Sequence, residues 1–317
     1  MNDVEPDTAR ASGQAAPDGP GPRTDGFAFE AIGTDWRIDT DEPMSASLRA
    51  RVLDRVRRFD ATYSRFRPDS TVSRIAAARK GGRFEFPEDS LRLFGLYDRL
   101  YTATEGALDP LVGRQLELLG YDPAYSLTPA PDEVRAAERT RGHATWAADV
   151  VRDGTTLVTQ RPLVIDVGAA GKGYLVDLVS AILREAGHTR FVVDGSGDLL
   201  HAGERTIRVG LEHPFDPKRV IGVSRLRGQA LCASGVARRA WGDGLHHVLD
   251  ARTGAPVEGV VATWVVADGT ALADGLATAL FFTDAQRLAE TFTFAYVRMH
   301  AGGRADRSSN FPGELFT

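Results

Sequence analysis

The chain has 317 residues, 43% hydrophobic and 26% charged, with 38 Lys and Arg against 43 Asp and Glu for a formal charge of −5. That balance excludes chain-wide disorder and argues against a dedicated nucleic-acid binder, because a phosphate backbone rewards a basic face. Cys232 is the only cysteine, so no intrachain disulfide, cysteine-ligated zinc or redox pair forms and the fold stands on packing.

Residues 1–25 carry Pro6, Pro17, Pro20, Pro22, Gly13, Gly19 and Gly21, with Val4 as the only large apolar residue after Met1. Such a stretch buries too little to offset the entropy of ordering it, so a disordered tail is expected, followed by one folded unit over residues 26–317. No run approaches the roughly 18 apolar residues of a membrane span, and no signal-peptide pattern opens the chain. A cytoplasmic protein without a membrane span is the expectation.

Ser45 or Ser47 is placed to cap a helix whose apolar positions Leu48, Val52, Val56 and Phe59 recur every three or four residues. A second helix is expected after Gly173, with Leu175, Leu178, Val179, Ile182 and Leu183 on one stripe and Gly187 as its stop. Residues 191–194, 206–211, 220–226 and 260–267 read as strands, being short and β-branched between turn residues. Strands and helices mix without a βαβα rhythm, so the predicted class is α+β: a single large domain of mixed or antiparallel sheets with packed helices.

Four segments carry candidate chemistry. Asp166-Val-Gly-Ala-Ala-Gly-Lys172-Gly-Tyr174 follows an expected buried strand at residues 163–165 and opens the second helix. Glycines let backbone N–H groups approach an anion, the helix start adds partial positive charge, and Lys172 adds a full one, so the segment reads either as a phosphate site or as a plain strand-to-helix turn. It is no Walker A loop, since Asp166 stands where the first glycine would be and Gly173 follows the lysine. Asp194-Gly-Ser-Gly-Asp198 lacks a third glycine and a following helix, and reads as a tight turn with Gly195 and Gly197 at positive φ.

Further on, Leu231-Cys-Ala-Ser-Gly235 precedes His246-His247-Val-Leu-Asp250-Ala-Arg252-Thr253-Gly254. Adjacent histidines on a strand face opposite ways, so one of the two is structural, and no third histidine supports zinc. The other is suited to act as a general base or a phosphate contact. Last, Asp274 and Thr278 lie four apart in an apolar helical pattern running to Phe282, and so share one face. A carboxylate plus a hydroxyl, completed by carbonyls and substrate phosphates, suits Mg²⁺ or Mn²⁺; the alternative is Asp274 as a helix cap.

Taken together and in order, residues 32–37, 63–70, 106–110, 166–174, 193–198, 233–235, 247–254 and 273–278 resemble the FAD:protein FMN transferase family, also called the ApbE family. The resemblance implies Mg²⁺-dependent transfer of the FMN half of FAD, the substrate, onto a Ser or Thr hydroxyl of an acceptor flavoprotein or domain, with release of AMP. It also implies a metal held by the Ala169 carbonyl, Asp274 and Thr278, and FAD contacts from Ile32, Phe66, Ala107, Leu108, Asp109, Asp166, Lys172 and Leu249. His247 is the expected base for the acceptor hydroxyl, with Asp250 orienting it or holding the nearby turn. An FAD pyrophosphatase releasing free FMN, or a protein that only stores FAD, would use the same parts. The chain departs from the family pattern at Ala76, Ser196 and Ala233, where Asn, Gly and Thr are usual.

Overall fold

The computed structural model describes residues 26–316; the expected N-terminal tail lies outside the described residues. Its centre is an eight-stranded sheet of Phe27–Ala31, Thr34–Thr40, Phe191–Asp194, Asp198–Ala202, Ala230–Gly235, Val260–Ala267, Ala295–His300 and Ala305–Arg307. These strands lie side by side in chain order, each antiparallel to its neighbour. The sheet is thus a meander, and the helices and smaller ladders are insertions between consecutive strands, as the α+β expectation required.

Packing follows from strand periodicity. Along Val260–Ala267, Val265 and Ala267 join the helix-side core while Ala262, Trp264 and Val266 join the core on the other face. Both faces are covered, which is why all eight residues of this strand are buried and none is polar except Thr263. Helices Ala46–Tyr63, Ser90–Ala103, Gly171–Glu185 and Thr270–Ala279 supply Leu48, Val52, Phe94, Leu100, Leu175, Val179 and Leu276 to one side. On the other side lies a three-stranded sheet of Ile207–His213, Asp216–Leu226 and Gly313–Leu315, burying Leu211 and Leu226.

Local expectations are largely met. Ser45, not Ser47, caps the first helix, its hydroxyl accepting from Leu48 N at 3.2 Å. The second helix starts earlier than expected, at Gly171, and Gly187 ends it at φ +89°. Leu163 and Ile165 are buried, yet residues 163–165 form no strand and pair with no ladder. Asp166 N donates instead to Pro110 O at 2.7 Å. The helix Thr270–Ala279 ends three residues short of Phe282, in a turn closed by Phe282 N to Ala279 O at 3.0 Å. Among the described residues no helix is long and apolar enough to cross a membrane.

Candidate active site

The site forms where the helices Gly171–Glu185 and Thr270–Ala279 cross. No side chain separates them at Gly173, whose N–H donates to Asp274 Oδ2 at 2.9 Å. The second helix is capped from the first: Asp177 accepts from Thr270 N and Ala271 N, both at 2.9 Å. Asp274 therefore sits inside its helix and is not the cap, and it shares its face with Thr278, whose Oγ1 lies 3.4 Å from the Ala169 carbonyl oxygen.

Asp274 is 6% exposed, and burial together with the neighbouring Asp198 carboxylate pushes its pKa well above the usual range. Lys172 Nζ lies 2.8 Å from Asp198 Oδ2, 2.9 Å from Gly195 O and 3.3 Å from Ser196 O. Two carbonyl oxygens accept from the ammonium and the Asp198 carboxylate pairs with its charge, so the lysine is held by the 194–198 turn. That turn differs from expectation in one respect: positive φ falls on Ser196 (+60°) and Gly197 (+97°), while Gly195 is small because a Cβ there would lie 3.0 Å from the Trp36 ring.

A cavity of about 850 Å³ opens beside these groups, lined by Ala107, Leu108, Asp109, Asp166, Ala169, Lys172, His247, Leu249, Asp274 and Thr278. A second lobe of about 360 Å³ adds Ile32 and Phe66 and shares Gly33, Tyr121, Asp166, Gly168, Lys172 and Arg239 with the first. Every residue singled out in the sequence for FAD, metal or proton transfer thus borders one or other of two cavities that share lining residues. The 107–109 segment reaches the histidine loop because Ala251 N donates to Ala107 O at 3.0 Å.

Several of those side chains are occupied. Asp109 accepts from Leu111 N at 2.7 Å and Trp146 N at 2.9 Å, and burial pushes its pKa up to about 6. Asp166 is buried, which works against its charge. The Arg65 guanidinium at 2.6 Å and the Gly168 N–H at 2.6 Å outweigh this and hold the carboxyl below its ordinary range. Asp250 grips Arg252 and its backbone N–H, and so holds the turn, making no contact with His247. Phe66 stacks on Tyr125 at 4.9 Å and 15°, with Tyr121 edge-on at 5.4 Å and the Arg65 guanidinium 4.2 Å from its ring centre. The aromatic wall is therefore a cluster, which the sequence reading had reduced to one ring.

The two histidines have different surroundings, although only His246 lies in a strand and His247 falls in the bend that follows. His246 is buried in the short strand Leu245–His246, its Nδ1 accepting from Val248 N at 3.3 Å and its Nε2 facing Val257 O at 3.1 Å. His247 lines the cavity, and its Nδ1 has no hydrogen-bond partner. Burial, aided by the charge of Arg239, lowers its pKa to about 3, so the imidazole is neutral. Asp198, Asp177 and Arg65 escaped the sequence reading; only a glycine-flanked acid after a strand hinted at the first.

Two buried acids, Asp109 and Asp274, and Lys172 border a cavity large enough for a nucleotide. A model of the ApbE family matches residues 32–297, and the chain belongs to that family. A relative named FAD:protein FMN transferase from Rhodobacter capsulatus is 31% identical over 265 residues, 80% of this chain; the chain spans about half of that protein, 50%. Another of that name from Klebsiella pneumoniae is 26% identical over 266 residues, covering 79% of this chain and 76% of the relative. Solved structures of the flavin transferase ApbE from Vibrio cholerae and the ApbE protein from Thermotoga maritima superpose with TM-scores of 0.78 and 0.79, both at 24% identity. They cover 91% and 92% of this chain and 98% and 100% of their own, and establish the shared fold.

Proposed function

We propose that this chain transfers the FMN moiety of FAD to a Ser or Thr hydroxyl of an acceptor protein, releasing AMP. One juxtaposition supports this reading above others: Asp274, Lys172 and the neutral His247, whose Nδ1 has no hydrogen-bond partner, line the same cavity. The names of the curated relatives point the same way.

The donor set suits a hard divalent cation. Asp274 spends only Oδ2 on the Gly173 N–H, which leaves its other carboxylate oxygen for a cation. Thr278 Oγ1 and the Ala169 carbonyl add neutral oxygens, and among the described residues no group of three or more His, Cys, Asp or Glu competes for a softer metal. A cation held by Asp274, Thr278 and the Ala169 carbonyl would supply positive charge to the diphosphate.

The remaining work falls to the chain. The aromatic cluster around Phe66 offers flat apolar surface for a ring system. Lys172, fixed by two carbonyl acceptors and its ion pair with Asp198, places an ammonium beside the 168–173 loop. His247 takes the proton of the incoming hydroxyl as the new oxygen–phosphorus bond forms. The bond from that phosphorus to the bridging oxygen breaks, and its electron pair leaves on AMP.

Full-length protein incubated with FAD, Mg²⁺ and an acceptor domain should give flavin fluorescence that survives denaturing electrophoresis, with AMP in equal amount. Free FMN with AMP would instead mark a hydrolase, and FAD retained intact would mark a binding protein. Transfer undiminished in Asp274→Ala would remove the metal assignment.

A further inference from the structure

Asp198 has no part in the scheme above, yet it is the most deeply enclosed acid near the site, with 0% exposure. It begins the strand Asp198–Ala202, whose five residues are all buried, so its carboxylate has no route to solvent. Its carboxylate lies near the Asp274 carboxyl and the Cys232 thiol, and among the described residues its ion-pair partner is Lys172 Nζ at 2.8 Å. Neither oxygen accepts a well-aligned hydrogen bond from any group.

The local charge count is therefore two carboxylates against one ammonium. Like charges this close are costly in a low-dielectric interior unless a second positive charge joins them. We propose that Asp198 is the positioning acid of the divalent-cation site: it holds Lys172 away from Asp274 and leaves the pair of carboxylates one positive charge short. This rests on the cation site proposed above and extends it to a residue that does not itself ligate. Asp198 makes Lys172 its own partner, so the Asp274 carboxyl is left to the metal and not to the ammonium. Without Asp198, the ammonium is free to turn to Asp274 and take the cation's place.

The test reads metal binding, with no flavin present. Mn²⁺ is titrated into the full-length protein and followed by electron paramagnetic resonance of the free ion, for wild type, Asp198→Asn, Asp274→Asn and Lys172→Met, with folding checked by circular dichroism. Asp198→Asn should weaken Mn²⁺ binding by about 10- to 100-fold, the range for groups that orient or tune a metal's ligands. Lys172→Met should tighten it several-fold, since the two carboxylates then lack their internal counter-charge; this arm decides the matter if Asp198→Asn does not fold. Asp198→Asn binding within twofold of wild type while Asp274→Asn loses binding would overturn the role of Asp198 alone, as would weaker or unchanged binding in Lys172→Met. Wild-type binding by Asp274→Asn would remove the cation site itself.

Discussion

The amide of Gly173 donates to Asp274 Oδ2 at 2.9 Å, so the glycine loop and the acid-bearing helix are in direct contact although 101 residues separate the two groups. A Cβ at Gly173 would lie 2.3 Å from Thr270 O and 2.7 Å from Asp274 Cβ. Both are parts of the helix that a side-chain rotation cannot move away. Gly173→Ala must therefore push the helices apart, at a cost of about 1–3 kcal/mol typical of overpacking. Urea unfolding measures this, and a loss under 0.5 kcal/mol would mean that the helices are not held at this spacing. The same variant should bind divalent cation more weakly.

Ile32 joins Phe27–Ala31 to Thr34–Thr40 in a two-residue turn with Gly33, and both have positive φ, +47° and +73°. Such hairpin turns favour Asn-Gly, whereas a β-branched residue in the left-handed region is strained by roughly 1–2 kcal/mol. Ile32→Asn should raise the thermal midpoint by a few degrees. If Ile32 touches FAD, as the family resemblance implies, FAD affinity should fall in the same variant. Stabilisation without that loss would free the turn of a binding role.

The pKa of His247 is lowered to about 3 by burial and by Arg239, so the free protein holds it neutral across the neutral range. Its contribution to stability is present above its unfolded value near 6.5 and is lost as pH falls toward 3. The pH profile of kcat/KM, which reports the free enzyme, should show no inflection near 6.5 from this group. His247→Ala should lower kcat by about 10²- to 10⁴-fold, as for loss of a general base. A clear free-enzyme limb at pH 6.5 that vanishes in His247→Ala would contradict the buried neutral imidazole.

Asp109 behaves in the opposite sense. Burial raises its pKa to about 6, so its protonated form is favoured by folding; that stability is complete below about 4 and is lost as pH rises through 6. Asp109→Asn keeps one acceptor where two backbone N–H groups now point, and should cost about 1–3 kcal/mol for the unpaired amide. The deficit relative to wild type should be largest near pH 4 and shrink toward pH 7. Denaturant melts at four or five pH values would show it, and a deficit that grows with pH would reverse the assigned shift.

Local pattern made much of this legible. The 3.6-residue spacing of Leu48, Val52, Val56 and Phe59, the cap at Ser45, the strands 191–194 and 260–267 and the shared face of Asp274 and Thr278 follow from neighbours a few residues apart. Periodicity failed at residues 163–165, where Leu163 and Ile165 are buried without a strand because strand formation needs a pairing partner that local sequence does not supply. It also failed at Phe66, whose ring partners Tyr121 and Tyr125 lie more than 50 residues away in the chain.

The amino-acid order alone determined the class of fold, the helix and strand faces, and a carboxylate and a hydroxyl one turn apart, because side-chain direction along a helix or strand is a short-range property. Tertiary structure decided which charges meet: Lys172 with Asp198, Arg65 with Asp166, Asp177 with the start of the helix Thr270–Ala279. Those pairings depend on where the meander returns after each insertion. Electrostatic energy in a buried site depends on distances that no spacing in the chain encodes.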